Sequence, residues 1–433
     1  MIKKSYTILI VTLILMSIIT ICSSYNLERR NYIDYVIIVP DDYRSIQEAI
    51  KSADVNDIIY VRKGVYNESI IIDKTLWLIG EDPSKVVING GGNDFTVIIK
   101  AEEVLFTRFT ITGGGIKRGL IGKGIGLELN KANRSRILNN IIRENRMGIY
   151  LHRTSDVILA NNIVIENREG IYLYDSTSNR IENNIISDNE YFAVQLFSST
   201  LNKLVNNIIH RNSLGIYLYR YSSGNEIKHN EVREGGIFIV ESMNNIISDN
   251  TLEDRGLYVT SLNNVIENNT LNGMRLVYLQ EKSNKVIEDA GQVILFKCSN
   301  ITLKNLKIRR AGVAVMLWDT NSSKIINGVF VENEIGIYLH NSFNNNILDS
   351  ILFKNIIGIR TYKLENSVIN GNEITNNRYG IVLEESHNNQ VSKNVLAFNT
   401  NYGILILYSS KNEIYNNEFY NNSFNIFFYD LPN

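Results

Sequence analysis

The sequence predicts an all-β fold: a single-stranded, right-handed parallel β-helix of about 22 residues per coil, with a short N-terminal capping helix. Three observations carry that class. The motif Gly-Ile-Tyr-Leu returns at Gly148, Gly170, Gly215 and Gly336, and looser equivalents run through Gly126, Ala193, Gly236, Gly256, Ala314, Gly358, Gly380, Gly403 and Asn425. A period of that length belongs to solenoids. Each repeat holds two short β-branched or aromatic runs, such as Asn162-Ile163-Val164-Ile165 and Ile171-Tyr172-Leu173-Tyr174, separated by Asn, Ser, Asp and Gly, which suit turns and left-handed backbone. No repeat has the helical-period stretch that a leucine-rich horseshoe would need.

The elements follow in chain order. Lys3 and Lys4 precede Tyr6 to Cys22, a run of 17 residues without a charge. Residues 1–24 therefore read as a secretory signal or, if uncleaved, an N-terminal membrane anchor that places the remainder outside the cytoplasm. Residues 35–56 form a capping segment. Within it Ser45 and Glu48 fit a capping box, and Ile46, Ala49, Ile50 and Ala53 make one apolar stripe, so a helix is expected over 45–53. An open solenoid end exposes core and strand edges, and this helix is placed to cover them. The coils occupy 57–433. Their spacing breaks between Gly273 and Ala311, where Gln292 to Ile308 parallels Phe95 to Ile111. Two half-solenoids meeting near 273–311 are one reading; one continuous solenoid is favoured, because no Pro, Gly or Ser-rich linker marks a boundary.

Strand alternation fixes the register. In Gly148-Ile149-Tyr150-Leu151-His152, Ile149 and Leu151 point to the core, and Tyr150 and His152 point outward. Two asparagine columns accompany the strands. One runs Asn140, Asn162, Asn184, Asn207, Asn230, Asn250 and Asn269, then Asn372, Asn394 and Asn417. The other runs Asn145, Asn167, Asn189 and Asn212, then Asn333, Asn355, Asn377, Asn399 and Asn422. A side-chain amide both donates and accepts, so stacked copies can bond coil to coil; both columns are read as structural.

The stretch Asp57-Ile58-Ile59-Tyr60-Val61-Arg62-Lys63-Gly64-Val65-Tyr66-Asn67-Glu68 after the cap helix, followed by Thr75-Leu76-Trp77-Leu78-Ile79-Gly80, resembles the opening segment of pectin-lyase-like right-handed β-helix proteins. The Asn-Asn…Gly-Ile-Tyr-Leu coils resemble the NosD-like family, named for a periplasmic copper-accessory protein, and the wider carbohydrate-binding and sugar-hydrolysis repeats. The resemblance covers roughly residues 35–430 and implies the same fold and an extracytoplasmic role.

Composition narrows partners by exclusion. A net charge of −1 with scattered Lys and Arg leaves no nucleic-acid footprint. With Cys298 the only cysteine beyond the leader, stability cannot rest on intrachain disulfides. Membrane contact is expected only through the N-terminal segment. The outward positions, by contrast, are aromatic: Tyr150, Tyr172, Tyr174, Phe197, Tyr217, Tyr219, Phe238 and Tyr258 in one block, then Trp318, Tyr338, Tyr362, Phe427 and Tyr429. Stacked about 4.8 Å apart, such rings can lie against successive sugar units. Tyr150, Tyr172, Tyr174, Tyr217, Tyr219, Phe238 and Tyr258 are accordingly the candidate carbohydrate-binding residues. The competing reading is that aromatics are good strand residues that pair with same-face neighbours.

Catalysis has weaker support. Glycoside hydrolysis needs two carboxyls within about 5 to 9.5 Å. The position five after each Gly instead mixes signs (Lys131, Arg153, Asp175, Ser198, Arg220, Glu241, Ser261), and the coils lack polygalacturonase and alginate-epimerase signatures. Asp175, Arg153 and Arg220 are the set from which a lyase-type site would be built. Copper favours His, Cys and Met, yet His152, His340, His210, His229 and His387 are scattered; only His210 and His229, on adjacent coils, offer a pair. No cofactor or dedicated metal site is expected. The sequence thus favours a secreted or membrane-tethered protein that binds polysaccharide or forms part of the cell surface, over a polysaccharide lyase, hydrolase or epimerase and over a copper accessory.

Overall fold

The computed structural model describes residues 36–115 and 124–429. The leader predicted over 1–24 lies outside them. The chain divides into two compact units, one up to Ile163 and one from Val164. Each is a right-handed parallel β-solenoid.

The first unit opens with the strand Val36–Val39, paired in parallel with Ile58–Val61, which pairs in turn with Trp77–Gly80. The helix spans Ile46–Ser52, with Ile46, Ala49 and Ile50 fully buried. Ser45 caps it as its spacing predicts, its Oγ accepting from Glu48 N–H at 3.2 Å. Two further caps come from the coil beneath. The Glu68 carboxylate accepts from Ile46 and Gln47 N–H at 2.9 and 3.0 Å, and Lys74 Nζ donates to Lys51 and Ala53 carbonyls at 2.8 Å. Both ends of this two-turn helix therefore carry the charge its dipole favours.

The coils of the second unit are three-sided, as in Arg180–Glu182, Ile185–Ser187 and Phe192–Phe197. Strand pairing repeats coil on coil in register: Ile171 faces Val194, which faces Ile216, and then Ile237 and Leu257 follow. The inward column so formed is buried to 1 % exposure or less. Corners are made by residues in left-handed conformation, including Asn183, Asp188 and Ser198 at φ 54, 57 and 47. Behind Asn183 and Asp188 the next side chain is a buried Asn, and behind Ser198 a buried Ser. Asn184 N–H donates to Asn207 Oδ1 at 3.1 Å, Asn207 N–H to Asn230 Oδ1 at 3.0 Å, and Asn207 Nδ2 reaches back to the Ile181 carbonyl at 2.8 Å. The second predicted column behaves alike, from Asn333 through Asn355, Asn377 and Asn399 to Asn422.

Two ladders escaped the sequence reading. Asn179, Asn202, Asn225, Asn245 and Asn264 link by N–H to Oδ1 at 2.9 Å, and Ser176, Ser199, Ser222, Ser242 and Ser261 link by N–H to Oγ at 2.9 to 3.2 Å.

The second unit is not a single parallel stack. Thr270–Leu271 pairs antiparallel with Met274–Gln280 across Asn272 and Gly273, whose φ values are 52 and 79. Parallel stacking then resumes from Gln292–Phe296 to Phe424–Tyr429. No Pro, Gly or Ser-rich linker accompanies this turn, since a hairpin needs only two residues in left-handed conformation. Beside the reversal the two stacks touch. The Gln292 side chain bonds Leu257 N–H and carbonyl at 2.9 and 2.8 Å, and Arg255 meets Glu334 at 3.0 Å.

Candidate functional site

The Gly-Ile-Tyr-Leu strand spans six residues at Met147–His152, Glu169–Tyr174 and Leu214–Tyr219, and the outward positions of these strands form two columns. In the second unit, one holds Tyr172, Gln195, Tyr217, Phe238 and Tyr258, and the other Tyr174, Phe197 and Tyr219. These rings contact one another across and along the columns. Tyr174 stacks on Phe197 with centroids 5.4 Å apart, Phe197 meets Tyr219 edge-on at 5.8 Å, Tyr219 stacks on Tyr217 at 5.5 Å, and Tyr217 leads to Phe238 at 6.3 Å. All seven candidate residues point outward and are half-buried. In the first unit Tyr150 stacks beside His152 at 5.6 Å, and its register partner on the previous coil is Glu128, so the aromatic character begins there.

A second row follows the reversal. Phe296, Trp318, His340 and Tyr362 are successive register partners, with Trp318 and His340 ring centroids only 3.6 Å apart and His340 and Tyr362 at 5.1 Å. Burial holds the His340 imidazole below its ordinary pKa, against an upward pull from Asp319. Tyr338, expected as part of an open stripe, is 7 % exposed and packs near Trp318 and the Arg360 guanidinium. It also lies close enough to Tyr258 of the preceding stack for the two phenols to interact electrostatically. Alternation predicts the side a residue faces, not what comes to lie over it.

Burial governs the phenols as well. It raises the pKa of Tyr217 and Tyr258, and pushes Tyr338 up to about 12. These hydroxyls are neutral donors at ordinary pH and not poised bases.

The residues from which a lyase-type site would be built stand on corners of the coils. Asp175, Arg153 and Arg220 all occupy left-handed corners, at φ 49, 53 and 42. Arg153 belongs to the first unit. Arg220 lies over the Phe197 and Tyr219 rings at 5.8 and 5.3 Å. The pair not foreseen is Arg360 with Glu384, 3.2 Å apart on the outward face beside Tyr338.

The histidine pair is not brought together. His210 ends the strand Ile208–His210, whereas His229 sits at the opposite corner, in the column of Asn206 and Asp249. Four extended residues, roughly 13 Å, separate those columns. The Nδ1 of His387 accepts from Ser410 N–H at 3.0 Å. Cys298 is buried, and among the described residues no group of three or more His, Cys, Asp or Glu side chains is placed to hold a metal ion.

The family model described as periplasmic copper-binding protein (NosD) matches residues 52–233 and 274–430. No curated protein matches the chain. Solved structures with a similar course include the catalytic domain of an alpha-1,3-glucanase in complex with nigerose, at 16 % identity and TM-score 0.44, covering 92 % of this chain and 70 % of that one. The mannuronan C-5 epimerase A-module of Azotobacter vinelandii matches at 15 % identity and TM-score 0.33, over 89 % and 95 % of the two chains. Carrot pectin methylesterase matches at 11 % and 0.36, over 57 % and 90 %.

Proposed function

The chain belongs to the NosD family, and from that premise we propose that it is an exported protein that binds extended polysaccharide along the outward aromatic face of its coils. The observation that carries this reading is the connected set of half-buried rings Tyr172, Tyr174, Phe197, Tyr219, Tyr217 and Phe238 on one face of the second unit. Rings held by their neighbours lose little freedom on binding, and each offers an apolar face and, in the tyrosines, a hydroxyl donor. Affinity is the sum of several modest contacts and falls stepwise as rings are removed.

Replacing Tyr172, Tyr174, Tyr217 and Tyr219 together by Ser tests it. Retention on a glycan matrix should be abolished while Tm moves by less than about 5 °C. Retention that survives while the protein melts early would mean that the rings serve packing alone.

A second reading is a polysaccharide-modifying enzyme. The Arg360–Glu384 pair beside Tyr338 is the observation that favours it, because a carboxylate and a guanidinium on an otherwise aromatic face are what acid–base work on a sugar would use. Release of reducing ends or unsaturated sugars by the wild-type protein, lost in Glu384→Gln, would establish it over simple binding.

Copper binding does not fit the described donors. His210 and His229 stand at opposite corners, Cys298 is buried, and Met316 is fully buried. Calorimetric titration with Cu(I) and Cu(II) should therefore show only weak uptake. Tight stoichiometric binding would overturn this.

A further inference from the structure

Beside the second aromatic row, round the corner of three successive coils, lies a recess of about 310 Å3 lined by Asn341, Phe343, Lys363, Glu365, Glu385 and His387. The register explains how these residues meet. Phe343, Glu365 and His387 are successive partners in one column. Two residues earlier stand Asn341, Lys363 and Glu385, all in left-handed conformation at φ 48, 54 and 46. Such a corner turns the chain between the two columns, so that side chains from three coils border one hollow.

Most of the polar groups here are already engaged. Lys363 Nζ lies 3.5 Å from Glu385 Oε2 and 5.0 Å from the centroid of the Tyr362 ring, so its charge is balanced. Asn341 Nδ2 donates to Asp319 Oδ1 at 2.5 Å. The His387 tautomer that accepts from Ser410 N–H at Nδ1 carries its proton on Nε2, leaving a donor for something else. One group is left over: among the described residues the Glu365 carboxylate has no ion-pair or hydrogen-bond partner. Beside it, Phe343 is 45 % exposed, so a large apolar ring stands next to an exposed carboxylate that no other side chain engages.

We propose that this recess is a subsite for a sugar unit bearing a protonated amine. The apolar face of the pyranose rests on Phe343, its ammonium meets Glu365, and a ring hydroxyl accepts from His387 Nε2–H. A charge-assisted bond of this kind is stronger than the neutral alternative. A uronate or sulfated unit would instead face Glu365 and be repelled. Tyr362 adjoins the recess round the corner through Lys363, so a branch or a unit of a chain resting on Trp318, His340 and Tyr362 can turn into it. The inference rests on the glycan-binding reading and names the class of glycan.

The test compares three soluble oligomers of equal length on the full chain by calorimetry: glucosamine, its N-acetylated counterpart and glucose. The amine form should bind about threefold to fivefold more tightly, the range open to a partly exposed ion pair. The advantage should shrink as salt rises from about 0.05 to 0.5 M, and should vanish in Glu365→Gln with affinity for the other two unchanged. Equal affinity for all three, or a preference that survives Glu365→Gln, overturns the amine subsite and leaves glycan binding standing. Absence of binding to any glycan overturns both.

Discussion

Asn207 concentrates the chemistry of the coils in one side chain. Its Oδ1 accepts from the backbone and side chain of Asn184, and its Nδ2 donates to the Ile181 carbonyl and to Asn230 Oδ1, all among buried groups. Asn207→Ala would leave a buried N–H and a buried carbonyl unmet, at a cost of roughly 2 to 4 kcal/mol. A urea midpoint measurement on the full chain reads this directly. Ile171 and Tyr172 make the complementary comparison. Ile171 is 1 % exposed and Tyr172 is its half-buried neighbour, so Ile171→Asp should prevent folding while Tyr172→Ser is tolerated. Equal damage from the two would show that inside and outside are exchanged. Both asparagine columns that the spacing revealed are structural, because identity was preserved along them. The third ladder was harder to see: after the reversal its equivalent reads Ser323, Asn345, Ser367, Asn389 and Asn412. That position asks for an acceptor oxygen, and a search for repeated asparagine passes over it.

At the scale of elements, the cap helix is held more firmly than its seven residues suggest. The Ser45 cap was legible from a local pattern; the Glu68 cap was not, since it arrives from 21 and 22 residues away. Ser45→Ala should cost about 1 kcal/mol and Glu68→Ala at least as much, seen as earlier melting by circular dichroism. Equal stability of the Glu68 variant and the wild type would mean that the carboxylate is solvated and not capping. The reversal did have a signal in the sequence. Asn272-Gly273 is the dipeptide that two-residue hairpins favour, set in a repeat whose period otherwise specifies parallel strands. Gly273→Val should destabilise the second unit, because a β-branched side chain is strained at φ 79 although nothing lies within 4 Å of the position.

Across the whole molecule, three phenols screened from solvent set an alkaline limit. Tyr66, Tyr278 and Tyr338 are pushed up to about 12, in each case first by burial. An unfolded chain releases those protons near pH 10, while the folded chain keeps them until about pH 12. Stability is therefore flat in this respect below pH 10 and is lost as pH rises through that window. Absorbance titration at 295 nm should show a fraction of the tyrosines ionising late and together with unfolding. A single transition near pH 10 in a protein still folded would contradict it. At this scale the fold class was the most legible property, since one repeated register specifies every coil. The site was least legible: the nearness of Tyr258 to Tyr338, and the hollow around Glu365, arise from turns and reversals that periodicity does not encode.

The asparagine ladders also have a direction. Each new coil brings the Oδ1 that the preceding coil's N–H awaits, and an Nδ2 that reaches back to a carbonyl already in place, as Asn207 does for Asn184 and Ile181. Within a stack, a chain that emerges N-terminus first thus meets a finished template on the coil before it. Its growing edge stays unsatisfied until the next repeat appears, so assembly keeps pace with synthesis or export and has no need to wait for the last residue.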